Sequence, residues 1–161
     1  MKKSGYCLEP GDKRMKGRWD SMSKVAIIYY SQTGNTKAMA EGIAEGVRAN
    51  GGEATLYIPQ EVKPYMVRDC SAIALGCPAM RFEQLDDDIF EPAYEAIKPE
   101  FPGKKIALFG SYGWGGGEWM RTWEDEIQKE GIQLAAESVI CCETPNSEVM
   151  EECRQLGRKL S

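Results

Sequence analysis

The sequence predicts an α/β fold: a three-layer α/β/α sandwich built around a five-stranded parallel sheet. Two observations carry this reading. Short apolar runs of strand length alternate along the chain with amphipathic stretches at helical spacing, and that alternation yields a parallel sheet with helices on both faces. The 161 residues, 42% of them hydrophobic, suffice for one well-buried domain and seldom for two.

The elements follow in order. Lys24–Tyr30 contains the apolar run Val25-Ala26-Ile27-Ile28 and reads as the first strand. A helix is expected over about 36–50, ended by Asn50-Gly51-Gly52. Glu53–Tyr57 reads as the second strand, residues 61–68 as a short helix, and Ser71–Gly76 as the third strand, followed by a loop at 77–85. Ile89, Phe90, Ala93 and Ile97 recur at helical spacing, which predicts a helix over about 86–97. Lys105–Gly110 is the fourth strand. A glycine-rich loop, Ser111–Gly117, leads into a helix at about 118–130. The fifth strand spans 132–142 with an interruption near Glu137-Ser138, and the last helix spans 147–160 with Val149, Cys153, Leu156 and Leu160 inward. Right-handed crossovers leave few topologies, and the order 2-1-3-4-5 fits, with a ligand crevice between strands one and three.

Residues 1–23 differ in character. They are polar, lack periodicity, and carry Lys2, Lys3, Lys13, Arg14, Lys16 and Arg18 against Glu9, Asp12 and Asp20, a balance of +3. The whole chain carries −5, so the remainder carries −8. The arm is expected to be disordered or loosely docked, with the folded domain at 24–161. Lys16-Gly17-Arg18-Trp19 can be encoded by a purine-rich string resembling a ribosome-binding site just before Met22. On that reading Met22 is the natural start; the alternative is a genuine basic tail. The acidic body disfavours nucleic-acid partners and favours basic proteins.

Composition excludes several chemistries. The chain has no histidine, which removes Ser-His and Cys-His nucleophilic sites and histidine metal sites. Cys7, Cys70, Cys77, Cys141, Cys142 and Cys153 show neither disulfide-framework density nor zinc spacing, so reduced, cytoplasmic thiols are expected. No apolar run approaches the ~20 residues of a membrane span. Chemistry at neutral pH would therefore rest on a cofactor.

Three loops at the carboxyl edge of the sheet carry the functional signal. The first is Ser31-Gln32-Thr33-Gly34-Asn35-Thr36, between the first strand and its helix. The leading N–H groups of a helix lack internal partners and sit at the positive end of its dipole, so this run can cradle a phosphate without lysine or arginine. The alternative is a plain helix cap by Asn35 or Thr36. The second loop is Cys77-Pro78-Ala79-Met80-Arg81-Phe82-Glu83, whose Met80 offers a soft sulfur to a flat ring. The third is Ser111-Tyr112-Gly113-Trp114-Gly115-Gly116-Gly117, where an indole among glycines suits stacking better than core packing. Inward packing of Met80 and an ordinary glycine turn are the bland counterparts. Together the loops describe a slot for a planar ring with a phosphorylated tail. Small apolar packing is the expected role of Cys77, against a thiol-redox one.

Thr33-Gly34-Asn35-Thr36, Gly76-Cys77-Pro78-Ala79-Met80 and Ser111-Tyr112-Gly113-Trp114-Gly115 resemble the three FMN-binding segments of flavodoxins, most closely the short-chain, clostridial type. The resemblance extends through Gly117-Glu118-Trp119-Met120-Arg121 and covers roughly residues 24–160. Flavodoxins are the standard example of strand order 2-1-3-4-5, so that order is not independent of the likeness. The resemblance implies one non-covalent FMN and one-electron transfer between protein partners, by a monomer. Ser31, Thr33 and Thr36 would bind phosphate through hydroxyls, and Gln32, Gly34 and Asn35 through backbone N–H groups. Met80 would cover the inner face of the flavin and Trp114 the outer. Backbone near Ala79, Glu83, Gly113 and Gly115 would reach the ring's polar edge. An acidic rim would dock basic redox proteins: Glu83, Asp86, Asp87, Asp88 and Glu91 on one side, Glu118, Glu124, Asp125 and Glu126 on the other.

One position departs from the family. Flavodoxins often carry glycine after the methionine, where a peptide turns over to accept a hydrogen bond from the one-electron-reduced ring; this chain has Arg81. A Cβ costs about 1–2 kcal/mol in left-handed conformations, so less of that state should accumulate than in glycine-bearing relatives. Three other readings compete. An FMN-dependent quinone reductase would need an open pocket over the flavin and a nicotinamide site. A detached module serving a diiron oxidoreductase would share every motif. A phospho-receiver would need an acidic pair after the first strand, where Ser31 stands.

Overall fold

Strand residues alternate between two cores, and that alternation organises the molecule. In the computed structural model, which describes residues 23–80 and 84–161, β1 (Lys24–Tyr29) is the inner strand between β2 (Glu53–Tyr57) and β3 (Ala72–Gly76). β4 (Lys105–Tyr112) pairs with β3, and β5 (Val139–Cys142) with β4, all parallel, giving the order β2-β1-β3-β4-β5. The predicted order stands.

Successive strand side chains point to opposite faces. Val25, Ile27, Ala72, Ala74, Ala107 and Phe109 face one core, against α1 (Asn35–Ala49) and α5 (Ser147–Leu160). Ala26, Ile28, Ile73, Leu75, Ile106 and Leu108 face the other. There they meet α3 (Phe90–Ile97) and α4 (Glu118–Lys129), with the short α2 (Pro64–Val67) alongside. The second core is aromatic. The Trp123 ring stands edge-on to Phe90 and Tyr94, at centroid distances of 5.5 and 5.9 Å. The first is built for close approach. A Cβ on Gly46 would lie 1.9 Å from the Arg154 carbonyl oxygen, and one on Gly157 2.1 Å from that of Ile43. Only glycine lets α1 and α5 come this near.

Several boundaries differ from the sequence reading. α3 begins at Phe90 rather than near 86, because the Asp86 carboxylate turns inward and accepts from the N–H groups of Ile89 (2.6 Å) and Phe90 (2.7 Å). Asp86 is thus a buried capping group and not part of an exposed rim. Phe90, Tyr94 and Ile97 are the buried residues of α3, with Ala93 partly buried against the same core. The fifth strand is confined to Val139–Cys142; upstream, Leu134 makes a lone bridge to Ile106 and the Ala135 N–H donates to the Ile106 carbonyl (2.8 Å), so the interruption is longer than expected. β4 runs two residues further, through Ser111 and Tyr112, because both still pair with β5. Of the arm expected at 1–23, residues 1–22 lie outside the described residues. No helix among the described residues is long and apolar enough to cross a membrane.

Candidate functional site

The loops after β1, β3 and β4 meet at the carboxyl edge of the sheet, and a fourth, after β5, joins them. They enclose a cleft of about 230 Å³ lined by Gln32, Thr33, Asn35, Thr36, Pro78, Ala79, Ser111, Tyr112, Gly113 and Glu143. Nine of these ten are residues that the sequence singles out; Glu143 is the tenth.

The first loop is shaped by two residues. Gly34 adopts φ 95°, a left-handed conformation that glycine enters freely, and so turns the chain into α1. Ser31 Oγ accepts from the Gly34 N–H (3.1 Å) and the Lys37 N–H (3.3 Å), which fixes the loop against the helix. Among the described residues the N–H groups of Gln32, Thr33, Asn35 and Thr36 have no hydrogen-bond partner. Unpartnered donors at a helix N-terminus are free to receive an anion.

The loops are tied to one another. Thr36 Oγ1 and Ser111 Oγ share a hydrogen bond of 2.8 Å, both residues nearly out of solvent at 1% and 5% exposure. The Thr36 hydroxyl is therefore engaged by Ser111, from the far end of β4. The Ala79 N–H donates to the Ser111 carbonyl (2.9 Å), and the Glu143 N–H to the Tyr112 carbonyl (2.7 Å). Beneath them the Trp119 indole donates to the Cys77 carbonyl (3.0 Å), and a Cβ on Gly110 would come within 2.3 Å of that same oxygen.

Met80 is half-buried beside the cleft, its N–H donating to the Gln84 carbonyl (2.8 Å). Trp114 is 63% exposed, outside both cores, on the open glycine loop with Gly115. Arg81, Phe82 and Glu83 lie outside the described residues, and with them the expectations placed on Arg81 and Glu83. Cys77 is buried. Its sulfur accepts from the Asp86 N–H (3.4 Å), and burial pushes the thiol up to about 12. The side chain packs within the second core.

The set suits a phosphorylated planar ligand: bare amides for an anion, and a solvent-facing indole on the loop that continues from Gly113. A family model described as Flavodoxin matches residues 27–157. This chain belongs to the flavodoxin family. It is 39% identical to a flavodoxin of Megasphaera elsdenii, over 83% of this chain and 95% of that protein, and 38% identical to one of Clostridium beijerinckii, over 84% and 97%. The solution structure of two-electron reduced Megasphaera elsdenii flavodoxin superposes with a TM-score of 0.77 at 39% identity, covering 84% of this chain and 97% of that one. As a flavodoxin the chain is an FMN-binding electron carrier and not an enzyme, and it works with redox partner proteins. The quinone reductase and phospho-receiver readings are not favoured.

Sequence reasoning missed the loop after β5. The signal available there was weak: Glu143-Thr144-Pro145 reads as an ordinary polar turn. A glycine at 143 would have announced the left-handed backbone; a glutamate does not.

Proposed function

We propose that this flavodoxin is a cytoplasmic, monomeric, low-potential carrier whose FMN phosphate sits on the 31–36 loop and whose ring lies between Met80 and Trp114. The unpartnered N–H groups of Gln32, Thr33, Asn35 and Thr36 carry the reading. They would hold the phosphate, with the hydroxyls of Ser31 and Thr33 beside them and Gly34 turning the chain so that the amides converge. FMN supplies the redox chemistry. Ala79, Gly113 and Gly115 would present backbone to the ring edge, while Pro78, Ser111 and Tyr112 shape the wall. The cleft is smaller than the ~300 Å³ at which ligand pockets usually begin. It suits the tail and inner edge, with the outer face of the ring left to the exposed indole of Trp114. The match across nearly the full length of two flavodoxins supports a free carrier over a module of a diiron oxidoreductase.

The charge distribution supports the electrochemical side. The fully reduced flavin tends to become an anion, and a dianionic phosphate and a body of −8 outside the arm both disfavour it. The potential of the more reducing couple should fall below that of free FMN. Asp87 and Asp88 are exposed on the turn before α3, Asp125 and Glu126 are exposed on α4, and Glu118 is ion-paired with Arg121. This face would meet basic partners, so electron-transfer rates should drop as salt rises.

Absorption spectroscopy of the purified protein tests the core of the reading. Flavin bands are expected, with FMN released by acid and tryptophan emission quenched when FMN is returned. Protein that stays colourless after reconstitution, with unquenched emission, would refute it.

A further inference from the structure

Glu143 lines the cleft, yet the three-loop reading gives it no role. It is the one non-glycine residue with a left-handed backbone among the described residues, at φ 62°, a conformation that a Cβ disfavours. The turn is pinned nonetheless. Its N–H donates to the Tyr112 carbonyl (2.7 Å), and its own carbonyl accepts from Cys141 Sγ (3.6 Å).

The anchor point matters. Ser111, one residue before Tyr112, is bonded to Thr36 of the phosphate cradle, and Gly113, one residue after, opens the indole loop. Glu143 is therefore fastened to the wall between the amide end of the cleft and the ring end. Its side chain is the only carboxylate among the described lining residues. Between its phosphate and its ring, FMN carries a polyol whose hydroxyls need acceptors. The amides of the cradle can only donate, whereas a carboxylate accepts, and with the strength of a charged partner.

The geometry points to Glu143 as the acceptor for the polyol hydroxyls, a binding residue that reads the linker rather than the phosphate or the ring. This rests on the FMN reading above.

Fluorescence titration of the full-length apoprotein with FMN, riboflavin and lumiflavin tests it, since lumiflavin keeps the ring and lacks the polyol. Glu143→Gln preserves shape and backbone demand. It should weaken FMN and riboflavin by the same factor, about threefold to tenfold, and leave lumiflavin unchanged. Glu143→Gly removes the side chain and relaxes the turn, and should weaken the same two ligands. Unchanged affinities in both variants overturn the assignment. So does a loss shared by lumiflavin, and so does tighter FMN with unchanged riboflavin, which marks a carboxylate that merely repels phosphate. Wild-type protein that fails to quench FMN overturns the functional reading instead.

Discussion

Thr36 and Ser111 join two loops through one buried hydroxyl pair, 2.8 Å apart and 75 residues distant in sequence. Replacing Thr36 by Val strands the Ser111 hydroxyl away from water, which should destabilise the apoprotein by about 1–3 kcal/mol in urea unfolding. Adding Ser111→Ala to that variant should cost less than the two losses summed, since no orphan then remains. The cysteines give a second residue-scale expectation. The thiolate is the reactive form, and burial pushes Cys77 and Cys153 to about 12. Alkylation of native protein at pH 8, read by peptide mass, should mark the exposed Cys142 and spare both. At this scale the sequence was most legible where chemistry clusters locally. Hydroxyls, amides and glycine packed into Ser31–Thr36, placed directly after the first strand, point to an anion-binding turn. The Thr36–Ser111 bond was not legible, because nothing in either segment encodes its distant partner.

Helix and strand identity were legible throughout because each element carries its own periodicity; the ends were not, because single side chains decide them. Asp86 delays α3 by capping it from within the core, and pairing with β5 prolongs β4 through Ser111 and Tyr112. Packing between elements yields the sharpest expectation. Gly46→Ala places a methyl against the Arg154 backbone, so α1 and α5 must separate. The variant should lose roughly 1–3 kcal/mol by denaturant titration, although alanine is the better helix former. α3 carries a pH signature. Burial first, then the neighbouring Glu95, Asp87 and Glu126, raise the Glu91 carboxyl above the ordinary glutamate range. A raised acid holds its proton more tightly in the folded state, so its charge opposes folding at neutral pH and ceases to do so as pH falls through the raised value. Glu91→Gln should therefore stabilise the protein at pH 7 by about 0.5 kcal/mol. The gain should fade in mild acid, as read from thermal unfolding at the two pH values.

At the scale of the molecule, strand order brings four loops from distant parts of the chain to one edge, and three of them were readable in advance because each follows a strand in a βα alternation. The fourth follows β5, whose sequence marks neither its short length nor the turn at Glu143. Direct hydrogen bonds stitch all four together: Thr36 to Ser111, Ala79 to the Ser111 carbonyl, Glu143 to the Tyr112 carbonyl. The Ala79 and Glu143 amides should consequently resist hydrogen exchange in the apoprotein, beyond the neighbouring Gly113–Gly116 amides of the open loop. A receptacle already braced in this way needs little rearrangement on docking. Uptake of FMN should then proceed as a single bimolecular step, its observed rate climbing in proportion to nucleotide concentration and showing no plateau set by a slow prior opening of the protein.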